Sequence, residues 1–211
     1  MSKLFLSSYF SCVTSLFPDF AEKECVGKKV VFIPTASLTE KFAFYVDADR
    51  KALQKLGMAV EDLEISSVSN EEIAKGLSAA DYIFVSGGNT FFLLQELKRN
   101  GVDKMIVEQI NNGKLYIGSS AGSAILAKDI GYIKYMDSPA AAPDLNGNFS
   151  ALSLVDFCIV PHLTDFPFKK VAGKTVKEFS ATLDIRAISN NQVITVDGDK
   201  VETLTLKGKQ K

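Results

Sequence analysis

The pentapeptide Gly118-Ser119-Ser120-Ala121-Gly122 constrains this chain more than any other stretch. Lys114-Leu115-Tyr116-Ile117 before it is apolar and of strand length, and Ala124-Ile125-Leu126-Ala127 after it suits a helix. A strand that passes through a G-x-S-x-G turn into a helix is the setting in which that pattern carries chemistry. Glycines flank the central serine because the turn draws backbone segments so close that a Cβ would clash. The Ser120 hydroxyl is left at a helix N-terminus, where free N–H groups favour a developing negative charge. The stretch reads as a nucleophile elbow.

Strands and helices alternate up to this turn. Lys3 to Ser8, Lys28 to Pro34, Met58 to Ile65 and Asp81 to Val85 have strand character, and the last is almost continuously apolar, as a parallel strand covered on both faces is. Glu40 to Leu56 has helical spacing through Phe42, Tyr45, Val46, Leu53 and Leu56, and Gly57 ends it. Ser69 caps a further short helix, and Phe91 to Leu97 and Val102 to Ile110 supply two more. This order predicts a parallel sheet with helices on both faces. Beyond the elbow, Gly131 to Ser150 is rich in Gly, Pro, Asp and Asn, and loops of that length usually carry function or cover a site. Phe157 to Val160 is a buried strand leading into Pro161 and His162, and Lys169 to Ser180 suits a helix with its lysines outward. Ile185 to Ser189, Gln192 to Val196 and Val201 to Leu206 are short strands, with a hairpin at Asp197-Gly198. With 211 residues, nearly half of them apolar, residues 1–211 are expected to form one domain.

Charge and cysteine usage narrow the function. The formal net charge is −1 with no long block of one sign, which argues against nucleic acid and for a small, neutral or modestly charged substrate. Cys12, Cys25 and Cys158 are scattered without C-x-x-C spacing, so neither a disulfide framework nor a zinc site is expected, and a reducing cytoplasm is the natural compartment. Serines interrupt the apolar N-terminal stretch and no small-x-small cleavage pattern follows, so a secretory leader is not expected, nor is any run long enough to cross a bilayer. No Rossmann glycine pattern, phosphate loop or metal-ligand cluster is present; no cofactor and no metal are expected.

A serine hydroxyl needs a neighbouring base near neutral pH. The chain has one histidine, so if this is a serine-histidine enzyme the base must be His162, which follows a buried strand at the end where α/β sheets present ligand-handling residues. Negative charge on a tetrahedral intermediate needs preorganised donors. The N–H of Ala121 is one, and Gly88, in the turn Ser86-Gly87-Gly88-Asn89-Thr90, is the second if the strands at 81–85 and 114–118 are neighbours. A carboxylate should orient the imidazole. Asp137 would give the chain order Ser, Asp, His; Asp165 lies three residues past the histidine, and Asp144 and Asp156 are weaker options.

Ser86-Gly87-Gly88-Asn89-Thr90-Phe91, the elbow at 118–122 and Val160-Pro161-His162 together resemble the peptidase E family of serine peptidases, peptidase family S51. Ile33-Pro34-Thr35-Ala36 and Val196-Asp197-Gly198 extend the likeness over nearly the whole chain. The resemblance implies a three-layer α/β/α sandwich with a flavodoxin-like, mostly parallel sheet, similar to class I glutamine amidotransferases, closed here by a C-terminal β-hairpin. Those amidotransferases carry cysteine where this chain has Ser120, which argues against glutaminase chemistry. The resemblance also implies Ser120 as nucleophile, His162 as base, and Gly88 and Ala121 as oxyanion donors. It favours Asp137 as the acid, because Met136-Asp137-Ser138-Pro139 looks like the family's Asn-Asp-Met-Pro segment.

The function so implied is a cytoplasmic, cofactor-free serine exopeptidase, similar to dipeptidase E, that acts on short peptides through an acyl-enzyme as a monomer or homodimer. Family members release N-terminal aspartate, which implies an acidic or small first residue in the substrate. Asn89 and Thr90 are expected at the substrate, with Lys169 and Lys170 where the family places arginine, although lysine is a point charge and cannot form a bidentate fork. Two other classes fit the same residues: a noncatalytic ligand-binding domain on this scaffold, and a small-molecule esterase or acyl hydrolase.

Overall fold

The computed structural model describes residues 2–207. Strand β1 (Lys3–Ser7) leads into two single-turn helices, α1 (Phe10–Val13) and α2 (Phe17–Phe20), and then β2 (Lys29–Ile33). Helix α3 (Phe44–Lys55) starts later than its apolar spacing predicts. The backbone from Pro34 to Glu40 is committed to a 3₁₀ turn, with Ser37 N–H on Pro34 O and Glu40 N–H on Ser37 O, which leaves Phe42 exposed. Next come β3 (Ala59–Asp62), α4 (Asn70–Ala79), β4 (Tyr82–Val85), α5 (Thr90–Arg99), α6 (Val102–Asn111), β5 (Leu115–Ser119) and the single turn α7 (Ala121–Ala124). The loop from 131 to 150 contains three short 3₁₀ turns. It is followed by β6 (Cys158–Val160), α8 (Lys169–Phe179), β7 (Ile185–Ala187), β8 (Gln192–Asp197) and β9 (Lys200–Thr205).

Local chemistry explains the helix starts that matter here. At α4 the Ser69 hydroxyl accepts the Glu72 N–H while the Glu72 carboxylate accepts the Ser69 N–H, a reciprocal capping box. At α5 the Asn89 side-chain oxygen accepts the N–H groups of Phe91 and Phe92, both at 3.0 Å, which satisfies two donors that a helix otherwise leaves free.

The main sheet has seven strands in the order β3-β2-β4-β5-β1-β8-β9. The first five are mutually parallel; β8 runs antiparallel to β1 and β9 antiparallel to β8, forming the hairpin expected at Asp197-Gly198. Reading β2 as the first of the crossover strands, β3-β2-β4-β5 has the flavodoxin-like order, and the N-terminal strand β1 fills the fifth place. Alternate residues of each strand serve opposite faces. Leu4, Leu6, Ile33, Val85 and Tyr116 pack with α4, α5 and α6 in one apolar core, whereas Phe5, Phe32, Phe84 and Ile117 pack with α1, α2 and α3 in the other. In the second core Phe32 and Phe84 stack at 4.7 Å and Phe5 meets Phe10 and Phe17 edge-on. Each fully buried phenylalanine stabilises the fold by about 1.5–3 kcal/mol.

The strand ahead of His162 departs from a simple extension of this sheet. β6 pairs only with β7, parallel, as a separate two-stranded sheet against which α7 and α8 pack. In the main sheet the register sets Val85 beside Gly118 and Ser119 beside Ser7, so the carboxyl ends of β4, β5 and β1 open side by side.

Candidate active site

The turn after β5 is fixed by backbone sterics. A Cβ on Gly118 would lie 2.6 Å from the Gly122 carbonyl oxygen, and one on Gly122 would lie 2.0 Å from the Val85 carbonyl oxygen. No side chain can yield to either contact, because the obstructing atoms are main chain. Ser120 sits at φ 51°, ψ −107°, a conformation that costs roughly 1–3 kcal/mol for a non-glycine residue and persists only where its surroundings impose it. They do so from β1: Ser120 N–H and the Ser123 hydroxyl both donate to Ser7 O, at 3.0 and 2.8 Å. Beneath the turn lies Asp49 of α3, fully buried, with one carboxylate oxygen accepting from Ser11 N–H at 2.9 Å and the other unpartnered among the described residues. Burial pushes its pKa up to about 7, against the hydrogen bond it takes from Ser11.

His162 approaches from the small sheet. Its Nε2 is 3.0 Å from Ser120 Oγ and its Nδ1 is 2.6 Å from Asn190 Oδ1. An amide oxygen only accepts, so Nδ1 carries the proton and Nε2 presents its lone pair to the serine hydroxyl. His162 is itself held at φ 60°, with its N–H on the Ser8 hydroxyl at 3.1 Å and its ring stacked on Phe168 at 4.8 Å. Burial lowers its pKa, opposed by the Asn190 hydrogen bond and the charge of Asp165, so the imidazole is neutral at neutral pH. Ser7 and Ser8 at the end of β1 thus tie down the serine and the histidine from adjacent positions.

Among the described residues no carboxylate touches the imidazole. Asp137, expected behind His162, is instead captured by Thr90, whose N–H (2.9 Å) and hydroxyl (2.5 Å) both donate to its Oδ2. Asp165, the local competitor, accepts the Asn190 N–H at 2.8 Å and so braces the residue that braces the histidine. Asp144 pairs with Arg99 and Asp156 with Lys128. Asn190 is the site residue that sequence reasoning missed. The available signal was weak, an Asn-Asn pair between two short strands, although asparagine is a known orienter of imidazole in Cys-His-Asn sites.

The condition set for Gly88 is met: β4 and β5 are hydrogen-bonded neighbours. At φ +137° Gly88 lies so close to the preceding turn that a Cβ would meet Ala36 O at 2.1 Å, and a Cβ on Gly87 would touch that of Ser120 at 3.2 Å. Neither the Gly88 nor the Ala121 N–H donates to a described acceptor, so both are free to face a ligand at Ser120.

These residues open on a cleft of about 600 Å³ that reaches from Tyr9 and Tyr45 to Met136 and Phe168. Asn89 and Thr90 line it, but their side chains are occupied within the protein, Asn89 on the α5 cap and Ser138 O, Thr90 on Asp137. Lys169 and Lys170 do not line it. They open α8 on its exposed side, and the chain ahead of them gives Phe166, Pro167 and Phe168 to the cleft instead.

Among the described residues no helix is long and apolar enough to cross a membrane. Comparison with known proteins agrees with the fold. An uncharacterized peptidase of Listeria innocua is 50% identical over 209 residues, 99% of both chains. Peptidase E of Shewanella amazonensis is 35% identical over 145 residues, 69% of this chain and 58% of that one. The crystal structure of a candidate peptidase E protein from Listeria monocytogenes EGD-e superposes with a TM-score of 0.94 at 49% identity, covering 98% of this chain and all of that one. A peptidase from an acI-B1 Actinobacterium shares the fold at a TM-score of 0.70 and 19% identity. The model of peptidase family S51 matches residues 2–204, and the chain belongs to that family of peptidases.

Proposed function

We propose that the protein is a serine exopeptidase of short peptides, working through an acyl-enzyme on Ser120. The observation that carries this is the 3.0 Å contact of Ser120 Oγ with His162 Nε2, with the second ring nitrogen committed to Asn190. Ser120 gives its proton to Nε2 as Oγ bonds to the scissile carbonyl carbon, and the carbonyl oxygen takes the negative charge toward the N–H groups of Gly88 and Ala121. The C–N bond then breaks as the imidazolium returns the proton to the leaving amine. Water, deprotonated by the same Nε2, attacks the ester, and the acid product leaves with Ser120 regenerated. Asn190 fixes the tautomer, and Asp165 supplies negative charge one residue further back.

Fluorophosphonate labelling followed by intact-mass measurement tests the nucleophile. The wild-type protein gains one adduct, Ser120→Ala gains none, and His162→Ala labels at least about a hundredfold more slowly. An adduct on Ser120→Ala sinks the assignment.

A further inference from the structure

The cleft in front of Ser120 is poorly suited to an acidic side chain. Among the described residues no lysine or arginine lines it, and its ionisable carboxylates are Glu40 and Asp137. Phe44, Ile133, Met136, Pro161, Phe166 and Phe168 make its walls, and Phe166 is 96% exposed at the rim. A substrate carboxylate there would lose water, meet no cation and face two groups of its own sign. An apolar side chain would instead cover aromatic surface that the fold leaves open.

Asp137 supplies what an N-terminal residue needs besides an apolar wall. Thr90 takes up Oδ2, while Oδ1 accepts from no described residue. The carboxylate is anchored on the Thr90 amide, two residues beyond the Gly88 amide, a span of at most about 7 Å. In any residue the backbone nitrogen lies only about 2.5 Å from the carbonyl carbon of the same residue. A first residue with its carbonyl oxygen at Gly88 therefore carries its amine into the neighbourhood of Asp137, while each residue added ahead of it moves the amine about 3.5 Å further away.

We propose that the cleft takes peptides whose first residue is apolar, its α-ammonium paired with Asp137 and its side chain against the Phe44–Phe168 wall, and that it disfavours N-terminal aspartate. The proposal rests on Ser120 and His162 being the reacting pair. It turns Asp137 from an orienter of the histidine into a binder of substrate. Burial pushes the Asp137 pKa up to about 6, against the Thr90 hydrogen bonds and with help from Glu40, so a bound ammonium would relieve an unfavourable charge.

The test runs wild-type protein on Leu-Ala, Phe-Ala, Met-Ala, Ala-Ala, Asp-Ala and N-acetyl-Leu-Ala, with fluorophosphonate labelling in parallel. The expected kcat/KM for the Leu, Phe and Met peptides exceeds that for Asp-Ala by about tenfold or more, and N-acetylation removes about a hundredfold. Asp137→Asn raises KM for the free-amine peptides, narrows the gap to the acetylated one and leaves Ser120 labelling in place. Asp-Ala turned over as well as Leu-Ala, or acetylated peptide turned over as well as free, overturns the proposal without needing the variant to fold. Labelling with no turnover of any peptide in the panel also overturns it while sparing Ser120; loss of labelling removes the nucleophile reading and the proposal with it.

Discussion

The two sides of the cleft are built by different means. On the β4–β5 side the geometry is main chain against main chain: Gly88 on Ala36, Gly122 on Val85, Gly118 on Gly122. On the 162–190 side it is side chain to side chain, with His162 on Asn190, Asn190 braced by Asp165 and the imidazole stacked on Phe168. Backbone contacts of that closeness admit one residue type and fail all at once. Side-chain contacts degrade by degrees and can be supplied from anywhere in the chain.

Substitutions on the two sides should therefore differ in kind. Gly122→Ala forces a methyl to 2.0 Å from Val85 O, and the expected result is loss of the cooperative thermal transition as well as activity. A folded, active Gly122→Ala would break the distinction. Asn190→Ala should leave the melting curve almost unchanged and lower kcat/KM by about 10- to 100-fold, the worth of one hydrogen bond to a charged ring. A drop in stability instead of rate would make Asn190 structural.

The pH dependence of fluorophosphonate labelling isolates the imidazole, since the probe carries no ammonium. Labelling requires neutral His162, so its rate falls as pH falls, with a midpoint below the ordinary 6.5 because burial disfavours the cation. Asn190→Asp should move that midpoint upward, an ionised carboxylate favouring the imidazolium; a midpoint that stays put would mean that charge at this position does not reach the ring. The smallest effect belongs to Asp49, beneath the Ser120 turn. Its carboxyl is raised from 3.8 to about 7, so the folded state holds a proton that the unfolded chain releases between those values. The stability this contributes is full at the acid end and lost as pH climbs through about 7. Asp49→Asn should accordingly raise the melting temperature by a few degrees at about pH 8 and by less at about pH 5. An equal shift at both would show that ionisation is not the cause.

The same contrast governs what could be read from the sequence. Gly118, Ser120, Gly122 and the pair Gly87-Gly88 announce themselves because a strand end, a tight turn and a helix start leave a local record in residue type. The apolar runs of β4 and β5 marked them as buried strands, but that they are neighbours is seen only in the sheet itself. Asn190 left no such record, because its contact with His162 spans 28 residues and depends on β6 and β7 forming a sheet of their own. Asp137 had a plausible place in chain order, but chain order does not say that Thr90 offers its carboxylate two donors. The lysines of α8 carried the right sign and lie outside the cleft, which Phe166 and Phe168 wall instead.

The crossing of the chain between its two sheets has a consequence for the order in which the site is assembled. Ser120 is made long before Asn190, and Asn190 reaches the imidazole only once β7 has paired with β6 and β8 with β1. A chain still emerging from the ribosome therefore carries the hydroxyl and even the histidine without the tautomer that joins them. The contact that orients the imidazole is therefore among the last to form, after the eighth strand has closed on the first.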